Sequence, residues 1–177
     1  MTRNIVGIAA SLRRGSINSR LLTRLGERAP AGVGLELFDG LADVPLFSED
    51  LEKPQAPEGV RHLWNAVRKA DAIVFATPEY NQSLPGVTKN IIDWISRDPA
   101  GSPLKGKLCA VTGATAGRWG TRIAQQQLRT ILTTGGAYVL TGPILFVAEG
   151  DRQASEQELD DFWNSIVAEC GSLRQAA

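Results

Sequence analysis

Two polar segments of the sequence carry the groups best suited to binding a ligand. The first, residues 10–19, follows an apolar run, and a helical pattern begins near its end at about residue 19. Free backbone N–H groups and the helix dipole favour an anion at such a position. The side chains of Ser11, Ser16 and Asn18 can donate hydrogen bonds to phosphate oxygens. Arg13 can add charge-assisted ones, so the segment is predicted to bind a phosphate group.

A plain polar turn capped by a serine would have the same composition, because Ser and Asn are common helix caps. The segment matches neither GxGxxG nor GxxxxGK(S/T), the glycine-rich patterns of dinucleotide sites and P-loops. On this segment alone, the phosphate site and the plain turn both remain open.

The second polar segment, residues 77–86, combines an aromatic side chain with polar neighbours. Tyr80 lies between Glu79 and Asn81, and prolines at positions 78 and 85 stiffen the segment. Such a group beyond a strand end can hold a planar ring, although a rigid connection with an exposed tyrosine would look similar. Because the two segments follow strands of one predicted sheet, they are expected to flank the same site and to bind a phosphate and a ring.

Short apolar runs alternate with helical patterns along the chain. Each run is bounded by turn residues, which is typical of strands buried on both faces. The predicted strands are residues 5–9, 35–38, 72–76, 108–112 and 138–140. Apolar residues at helical spacing predict the buried faces of helices, formed by Val60, Leu63, Trp64 and Val67, by Ala124, Leu128, Ile131 and Leu132, and by Leu159, Phe162, Trp163, Ile166, Val167 and Cys170.

Five strands alternating with five helices predict βαβ units, and hence a parallel sheet with helices on both faces. The 177 residues fit one domain, residues 1–177. In doubly wound sheets, ligands bind beyond the carboxyl ends of the strands, where both polar segments are expected to lie.

Further residues extend the two segments into a longer pattern. With them, the chain resembles the NADPH-dependent FMN reductase family, a flavodoxin-like group that includes bacterial chromate, quinone and azo-dye reductases. Four groups of residues carry the resemblance: Ser11-Leu12-Arg13 with Ser16 and Asn18; Thr77-Pro78-Glu79-Tyr80-Asn81 with Ser83, Pro85 and Gly86; Lys89-Asn90 with Ile92-Asp93-Trp94 and Ser96-Arg97; and Gln125 with Leu128-Arg129.

The resemblance implies a flavodoxin-like α/β fold, with a five-stranded parallel sheet of order 2-1-3-4-5, helices on both faces, and FMN as the cofactor. The residues that it assigns to the phosphate end of FMN are Ser11, Arg13, Ser16, Ile17 and Asn18. Those that it assigns to the ribityl chain and the isoalloxazine ring, largely through backbone groups, are Pro78, Glu79, Tyr80 and Asn81. No catalytic side chain is expected, because flavin N5 carries the hydride chemistry. No metal is expected either, since the sequence has one histidine and no His/Cys/carboxylate cluster.

One segment departs from the family pattern. After the fourth predicted strand the family tends to have a Ser- and Gly-rich turn that meets the flavin, and here residues 113–120 include an arginine and a tryptophan. Thr115 and Gly117 occupy positions suited to contacting the cofactor. Arg118 and Trp119 are predicted to shape the nicotinamide and acceptor side of the ring. The alternative is that Trp119 begins the apolar face of the next helix and Arg118 points into water.

These residues predict an FMN-dependent oxidoreductase that takes hydride from NADPH or NADH. Its small-molecule acceptor would be a quinone, an azo or nitro compound, a metal oxyanion or free flavin. The alternative is a flavodoxin-type electron carrier, or an FMN- or redox-sensing protein, without its own NAD(P)H reductase activity. Such carriers tend to be strongly acidic, whereas this chain has 19 basic and 19 acidic residues. The charge balance favours the reductase and argues against nucleic acid as the main partner.

The apolar runs and the cysteines predict a cytoplasmic location. No run is long enough to span a membrane, and the chain passes almost at once into a core strand, so neither a membrane partner nor a signal peptide is expected. Cys109 and Cys170 are expected to be buried free thiols, which suits a reducing compartment.

By the same resemblance, the flavin site lies near a subunit interface, and a homodimer or homotetramer is expected. The predicted interface helix is residues 84–97, with Asn90, Asp93 and Arg97 as polar groups and Trp94 as an aromatic anchor. Asp93 and Arg97 could instead pair on the helix surface, because they are four residues apart. Towards the C-terminus, Asp151, Arg152 and the acidic run at residues 156–161 are expected to form a solvated loop and helix face.

Overall fold

The computed structural model of the protein describes residues 2–147 and 153–176, so the expectation for Asp151 and Arg152 lies outside the described residues. The strands are β1 (Arg3–Ala9), β2 (Val33–Leu37), β3 (Ala72–Ala76), β4 (Leu108–Ala114), β5 (Tyr138–Val139) and β6 (Phe146–Val147). The α-helices are α1 (Ile17–Glu27), α2 (Glu58–Lys69), α3 (Gly86–Ser96), α4 (Arg122–Thr134) and α5 (Glu156–Ala176).

The strands form a parallel sheet in the order β2-β1-β3-β4-β5. Every residue of β3 and β4 is buried, because helices cover both faces of the sheet. Buried residues of α1 and α5 pack on one face, and those of α2, α3 and α4 pack on the other. This arrangement confirms the predicted flavodoxin-like fold and its strand order.

The predicted helix faces are largely the buried ones. On α2, the four predicted residues are the buried ones. On α4, Ile131 is only partly buried, and Gln125 is buried although it is polar. On α5, the predicted face is buried apart from Val167, which is half-buried. The acidic run at residues 156–161 is not purely solvated, since Arg28 at the end of α1 pairs with Glu156 at 3.0 Å and with Asp160 at 2.6 Å.

The fifth position of the sheet differs from the single strand predicted at residues 138–140. Two short strands share it: β5 pairs with Leu108 and Cys109 of β4, and β6 pairs with Gly113 and Ala114 further along the same strand. Between them the chain leaves the sheet. Arg129 of α4 fills the gap, because its guanidinium donates to the carbonyls of Val111 and Leu140. Thus a side chain replaces strand-to-strand hydrogen bonds where β4 has no strand beside it.

The third helix contradicts two details of the predicted interface. Trp94 is fully buried, its indole N–H donates to the Pro45 carbonyl at 2.8 Å, and its ring meets the edge of Phe47. The Asn90 side chain accepts from the Phe47 N–H at 2.7 Å and donates to the Pro45 carbonyl at 2.9 Å. Both side chains are therefore used inside the chain, where they hold the loop before α2, and cannot anchor a second subunit.

The alternative prediction of a surface pair between Asp93 and Arg97 is also wrong. Arg97 instead makes two hydrogen bonds to the carboxylate of Glu52, at 2.6 and 3.1 Å, and Lys89 pairs with Asp93 on α3. The hydrogen bond from Arg97 lowers the pKa of Glu52. Arg97 pairs with Glu52 and not with Asp93, because two guanidinium N–H groups each reach one oxygen of the Glu52 carboxylate.

Within the described residues, no helix is long and apolar enough to cross a membrane. Cys109 and Cys170 are both buried and unbridged, as the sequence predicted.

Candidate functional site

Three loops leave the sheet from one edge, at the carboxyl ends of β1, β3 and β4. We refer to residues 10–16 as the first loop, residues 77–85 as the second and residues 115–121 as the third. The first and second begin side by side, since Ala10 N–H donates to the Ala76 carbonyl at 2.8 Å. The second begins beside β4, since Thr77 N–H donates to the Thr112 carbonyl at 3.0 Å. The sheet therefore brings together the residues that were predicted to bind phosphate and ring.

The first loop ends in a capped helix N-terminus. Ser16 is the cap of α1, and its Oγ accepts from the N–H groups of Asn18 at 3.2 Å and Ser19 at 3.4 Å. The helix begins at Ile17, two residues earlier than predicted. Among the described residues, the backbone N–H groups of Gly15 and Ile17 have no protein acceptor. These N–H groups, the α1 dipole and the exposed Arg13 form a set of donors suited to a phosphate.

Asn18 differs from the prediction that it binds phosphate. Its side chain is 1% exposed, and it donates to the Ala114 carbonyl at 3.0 Å while accepting from the Ala114 N–H at 2.8 Å. A buried carboxamide needs partners for both ends, and the end of β4 supplies them. Asn18 therefore holds the start of α1 against the end of β4 and acts on the first loop indirectly.

The second loop contains a tight turn with an unusual backbone. Tyr80 and Ser83 exchange two backbone hydrogen bonds of 3.0 Å, and the residues between them, Asn81 and Gln82, have φ angles of 52° and 58°. Two successive positive φ angles define a type I′ turn, which is easiest for Gly and Asn. The turn presents the Tyr80 side chain to solvent, and this residue is 52% exposed. The aromatic group expected to lie against a ring is thus accessible at the sheet edge.

Helix α4 contacts this turn on both sides, through backbone N–H groups on one side and a side chain on the other. The carboxylate of Glu79 accepts from the N–H groups of Ile123 at 2.8 Å and Ala124 at 3.0 Å. Gln127 Oε1 accepts from Ser83 Oγ at 2.9 Å and from Leu84 N–H at 3.1 Å. Sequence reasoning selected Glu79 only for its backbone and did not find Gln127, which is one of three consecutive glutamines. No local spacing indicates which of the three faces a loop more than 40 residues away.

The third loop packs closely against the second. A Cβ atom at Gly113 would lie 2.2 Å from both the Thr77 carbonyl oxygen and Thr121 Oγ1, so only glycine fits there. Thr115 N–H donates to the Val147 carbonyl at 2.9 Å, and Thr115 Oγ1 accepts from the Gly117 N–H at 3.2 Å. The end of β4 therefore fixes the spacing of the two loops.

Arg118 and Trp119 are both exposed at this edge, and Trp119 is 75% exposed. Helix α4 begins only at Arg122, so Trp119 does not start its apolar face as the alternative interpretation required. The exposed indole of Trp119 and the exposed ring of Tyr80 thus lie on two loops that leave the same edge of the sheet. Such surfaces suit a planar ligand.

A cavity of about 390 Å³ lies between α1 and the end of β4. Ile17, Arg20 and Arg24 of α1 line one side, and Thr115 and Val147 line the other. Among the groups proposed to bind phosphate, Ile17 at the start of α1 lines this cavity.

Comparison with known proteins supports the interpretation of this edge. Residues 3–152 match the family model described as NADPH-dependent FMN reductase. The chain is 41% identical over 165 residues to an NAD(P)H-dependent FMN reductase of Pseudomonas aeruginosa, covering 92% of this chain and 88% of the relative. It is 38% identical over 140 residues to a quinone reductase of Escherichia coli K12, covering 78% of this chain and 74% of that protein.

Solved structures agree with the fold. The flavoenzyme FerB of Paracoccus denitrificans, an NAD(P)H:(acceptor) oxidoreductase, superposes with a TM-score of 0.76 at 29% identity, covering 98% of this chain and 94% of that chain. A WrbA-like flavodoxin of Agrobacterium tumefaciens, at 21% identity and a TM-score of 0.64, shares the fold. The family match spans most of the chain, and the three loops lie together where that family's motifs predicted them. This chain therefore belongs to the NADPH-dependent FMN reductase family, flavodoxin-like oxidoreductases that use FMN and NAD(P)H.

Proposed function

We propose that this chain holds one FMN between the first and second loops and uses NAD(P)H to reduce small planar acceptors of the quinone type. The observation that carries the proposal is the position of two unlike binding elements on one sheet edge. One is an anion-favouring helix N-terminus, and the other is a turn that exposes an aromatic ring. Relatives named quinone reductase, and one from a Burkholderia species named 2-hydroxy-1,4-benzoquinone reductase at 35% identity, support this acceptor class.

The residues present fit the two ends of FMN. The free N–H groups of Gly15 and Ile17, with Arg13, Ser11 and the Ser16 hydroxyl, suit the phosphate. Gly113 lets the Thr77 carbonyl and the Thr121 side chain pack closely where the second and third loops begin and end, which keeps these two loops side by side. In this proposal Pro78, Glu79, Tyr80 and Asn81 contact the ribityl chain and the ring through backbone groups, and Thr115 and Gly117 contact the ring from the third loop.

Bound FMN supplies the chemistry, because its N5 accepts hydride from the nicotinamide and the reduced ring passes electrons to an acceptor. The chain supplies binding and orientation. Backbone N–H groups of the second and third loops that are not used within the protein would serve as donors to the ring and favour negative charge there. Arg118 suits the 2′-phosphate of NADPH, and Trp119 suits stacking on a planar acceptor. Both are proposed to determine donor and acceptor preference rather than FMN affinity.

The active form is proposed to be a homodimer or homotetramer. Trp94 and Asn90 are excluded as contacts, but Leu12, Tyr80 and Trp119 are large exposed apolar groups on loops of the site. A second subunit placed over this edge would cover them. Sedimentation of the purified protein checks the proposal, and a fully active monomer at working concentration contradicts it.

The protein is proposed to be cytoplasmic. Cys109 and Cys170 are both buried and form no disulfide, which suits a reducing compartment.

Purification tests the proposal directly. We expect a yellow protein with one FMN per chain, identified by chromatography after heat release, and rapid NADPH or NADH oxidation with a quinone and dye panel. Bound FAD, or no flavin after reconstitution, would contradict the cofactor assignment. Tight FMN without NAD(P)H oxidation toward any acceptor would instead favour an electron carrier or a sensor.

Arg13 tests the phosphate end. We expect Arg13→Ala to weaken FMN binding by roughly 1.5–3 kcal/mol, the usual contribution of hydrogen bonds to a charged group. Riboflavin lacks the phosphate, so its affinity should hardly change. Arg24→Ala, at the other end of α1, is the matched control. Equal losses for FMN and riboflavin would show that Arg13 is not a phosphate ligand.

Steady-state kinetics test the third loop. Arg118→Ala should raise KM for NADPH more than for NADH, and Trp119→Ala should change the ranking of quinones as acceptors.

A further inference from the structure

We infer that Glu79 and Gln127 are positioning residues that hold the second-loop turn in its flavin-binding shape before the cofactor arrives. The inference rests on the proposed function, because it takes the second loop as the ring side of the site. Neither side chain needs to touch the flavin. Both act at the ends of the turn: Gln127 accepts from the Ser83 hydroxyl and the Leu84 N–H, and Glu79, just before the turn, accepts from two N–H groups of α4.

The turn needs outside support because its backbone is unfavourable. Asn81 and Gln82 both have positive φ angles, a region that asparagine tolerates and that most other non-glycine residues avoid. Both residues are exposed, so no packing around their side chains maintains the turn. A strained turn with exposed central residues persists only when its surroundings determine it.

Gln127 supports the end of the turn. One oxygen, Oε1, accepts both from the hydroxyl of Ser83 and from the N–H of Leu84, the two residues that follow the strained pair. Its contribution depends on an acceptor at this position and not on side-chain size or charge. Two replacements of similar shape, one with an acceptor at this position and one without, therefore distinguish the hydrogen-bonding role of Gln127 from simple packing.

Glu79 supports the start of the turn. Helix α4 receives no side-chain cap from Thr121, and the carboxylate of Glu79 takes that place by accepting from Ile123 N–H and Ala124 N–H. An anion at a helix N-terminus is favoured by the helix dipole. Helix α4 thus makes hydrogen bonds at both ends of the turn, and the third loop leads directly into the same helix. Consequently α4 also fixes the distance between the ring side and the acceptor side of the site.

This arrangement has a measurable consequence for affinity. If the turn spends only part of its time in the binding shape, the apparent dissociation constant rises by the inverse of that fraction. The loss concerns the ring side of the site, which FMN and riboflavin share. Loosening the turn must therefore weaken both ligands by the same factor, unlike Arg13→Ala, which should weaken FMN alone.

The test compares Gln127→Leu with Gln127→Glu in the full-length protein. We expect Gln127→Leu to raise the dissociation constants of FMN and riboflavin together by about tenfold, from the loss of two hydrogen bonds. Gln127→Glu retains an acceptor and should stay within about twofold of the parent protein for both ligands. Hydrogen exchange of the Ser83 and Leu84 amides, measured without flavin, should accelerate in the leucine variant only. Glu79→Met should reproduce the paired loss of affinity.

The outcomes distinguish failure of the positioning role from failure of the proposed function. A folded Gln127→Leu protein with unchanged exchange at residues 83–84 and unchanged riboflavin affinity overturns the positioning role. A lowered melting temperature without a change in riboflavin affinity, measured well below that temperature, assigns Gln127 a structural role only and overturns it as well. If no variant and no parent protein binds flavin, the proposed function fails, while the exchange measurement still decides whether Gln127 holds the turn.

Discussion

At the scale of single residues, Ser16 has two roles that one substitution can separate. Its Oγ caps α1, and its hydroxyl is proposed to donate to the FMN phosphate. Ser16→Asp keeps the cap, since Asp is an equally good N-cap, but places a carboxylate beside the phosphate. In bulk water a carboxylate about 5 Å from a doubly charged phosphate is repelled by about 1.7 kcal/mol, twice the value for two single charges. We therefore expect FMN affinity to fall at least about tenfold, with riboflavin affinity and the melting temperature maintained.

The matched control for Ser16→Asp is Ser155→Asp. Ser155 Oγ accepts from the Glu158 N–H at 3.2 Å at the start of α5, and the Glu158 carboxylate accepts from the Ser155 N–H in return. The same change there should leave FMN binding as it was. If both variants bind FMN normally by titration, the carboxylate at position 16 does not face a phosphate.

Gly113 gives a second prediction at this scale, based on space. The added methyl group of Gly113→Ala would lie 2.2 Å from backbone and side-chain oxygens of the second and third loops, which must then move apart. We expect a loss of about 1–3 kcal/mol in the free energy of unfolding, as for other overpacked sites. Weaker FMN binding should accompany it. In Gly117→Ala the added methyl group would meet only Thr115 Oγ1, at 3.6 Å. This variant should therefore keep the free energy of unfolding of the parent protein in the same denaturant titration.

Sequence reasoning placed the first and second loops at one edge of the sheet but recognised only part of the contacts that their residues make. Ser16 was recognisable as a cap because its partners lie two and three residues away. The partner of Asn18 is Ala114, 96 residues further along, and that contact uses both ends of the carboxamide. Gln127 was missed for the same reason. Contacts set by tertiary packing leave no local pattern for a reader of the sequence.

At the scale of elements, Arg129 is expected to determine the stability of the interrupted sheet edge. Its half-buried guanidinium is held between the carbonyls of Val111 and Leu140, and burial lowers its pKa. Arg129→Met would leave two acceptors without a donor, and each such group costs about 1–3 kcal/mol. We expect a loss of about 2–5 kcal/mol in denaturant unfolding at neutral pH.

Arg129→Lys should not restore this stability, because a single ammonium group cannot bridge two carbonyls as the planar guanidinium does. Gln126→Ala is the control, since Gln126 is exposed on the same helix. Unfolding curves of Arg129→Met that coincide with those of the parent would mean that water replaces the guanidinium at both carbonyls.

The elements also show where periodicity succeeds and where it fails. The four residues predicted for the buried face of α2 are the buried ones, because a 3.6-residue repeat reports directly which side faces the core. Strand β6 was not predicted, since two residues are too few for a pattern and Pro143 interrupts the apolar stretch before it. Two α3 residues predicted to face a second subunit, Asn90 and Trp94, contact a loop of the same chain instead, because such residues look alike in sequence in either setting.

At the scale of the whole molecule, the Cys109 thiol links stability to pH. It is fully buried in β4, and burial raises its pKa to about 12 from an ordinary value of 9.0, with Lys107 nearby acting in the opposite direction. Above pH 9 the unfolded chain releases this proton while the folded chain keeps it, so the stabilising contribution of the thiol is lost as the pH rises from about 9 towards 12.

Between about pH 9 and 12, we expect the free energy of unfolding of the parent protein to fall by about 1.4 kcal/mol per pH unit more than that of Cys109→Ala. Comparing slopes rather than absolute stabilities removes the cost of the cavity that the alanine leaves. Denaturant unfolding at several alkaline pH values gives both slopes, and parallel curves for the two proteins would contradict the prediction. At neutral pH the native thiol should also resist alkylation until the protein unfolds.

The divided fifth strand has a consequence for how copies of this chain can meet. An open sheet edge invites another strand to add to it, but β5 offers only two residues before the chain turns away, and the Arg129 guanidinium occupies carbonyls beyond them. A neighbouring polypeptide would find too few unpaired peptide groups for main-chain pairing along this side. Growth of the sheet into fibre-like stacks is thereby discouraged at this edge, and association between copies there must rely on side-chain surfaces.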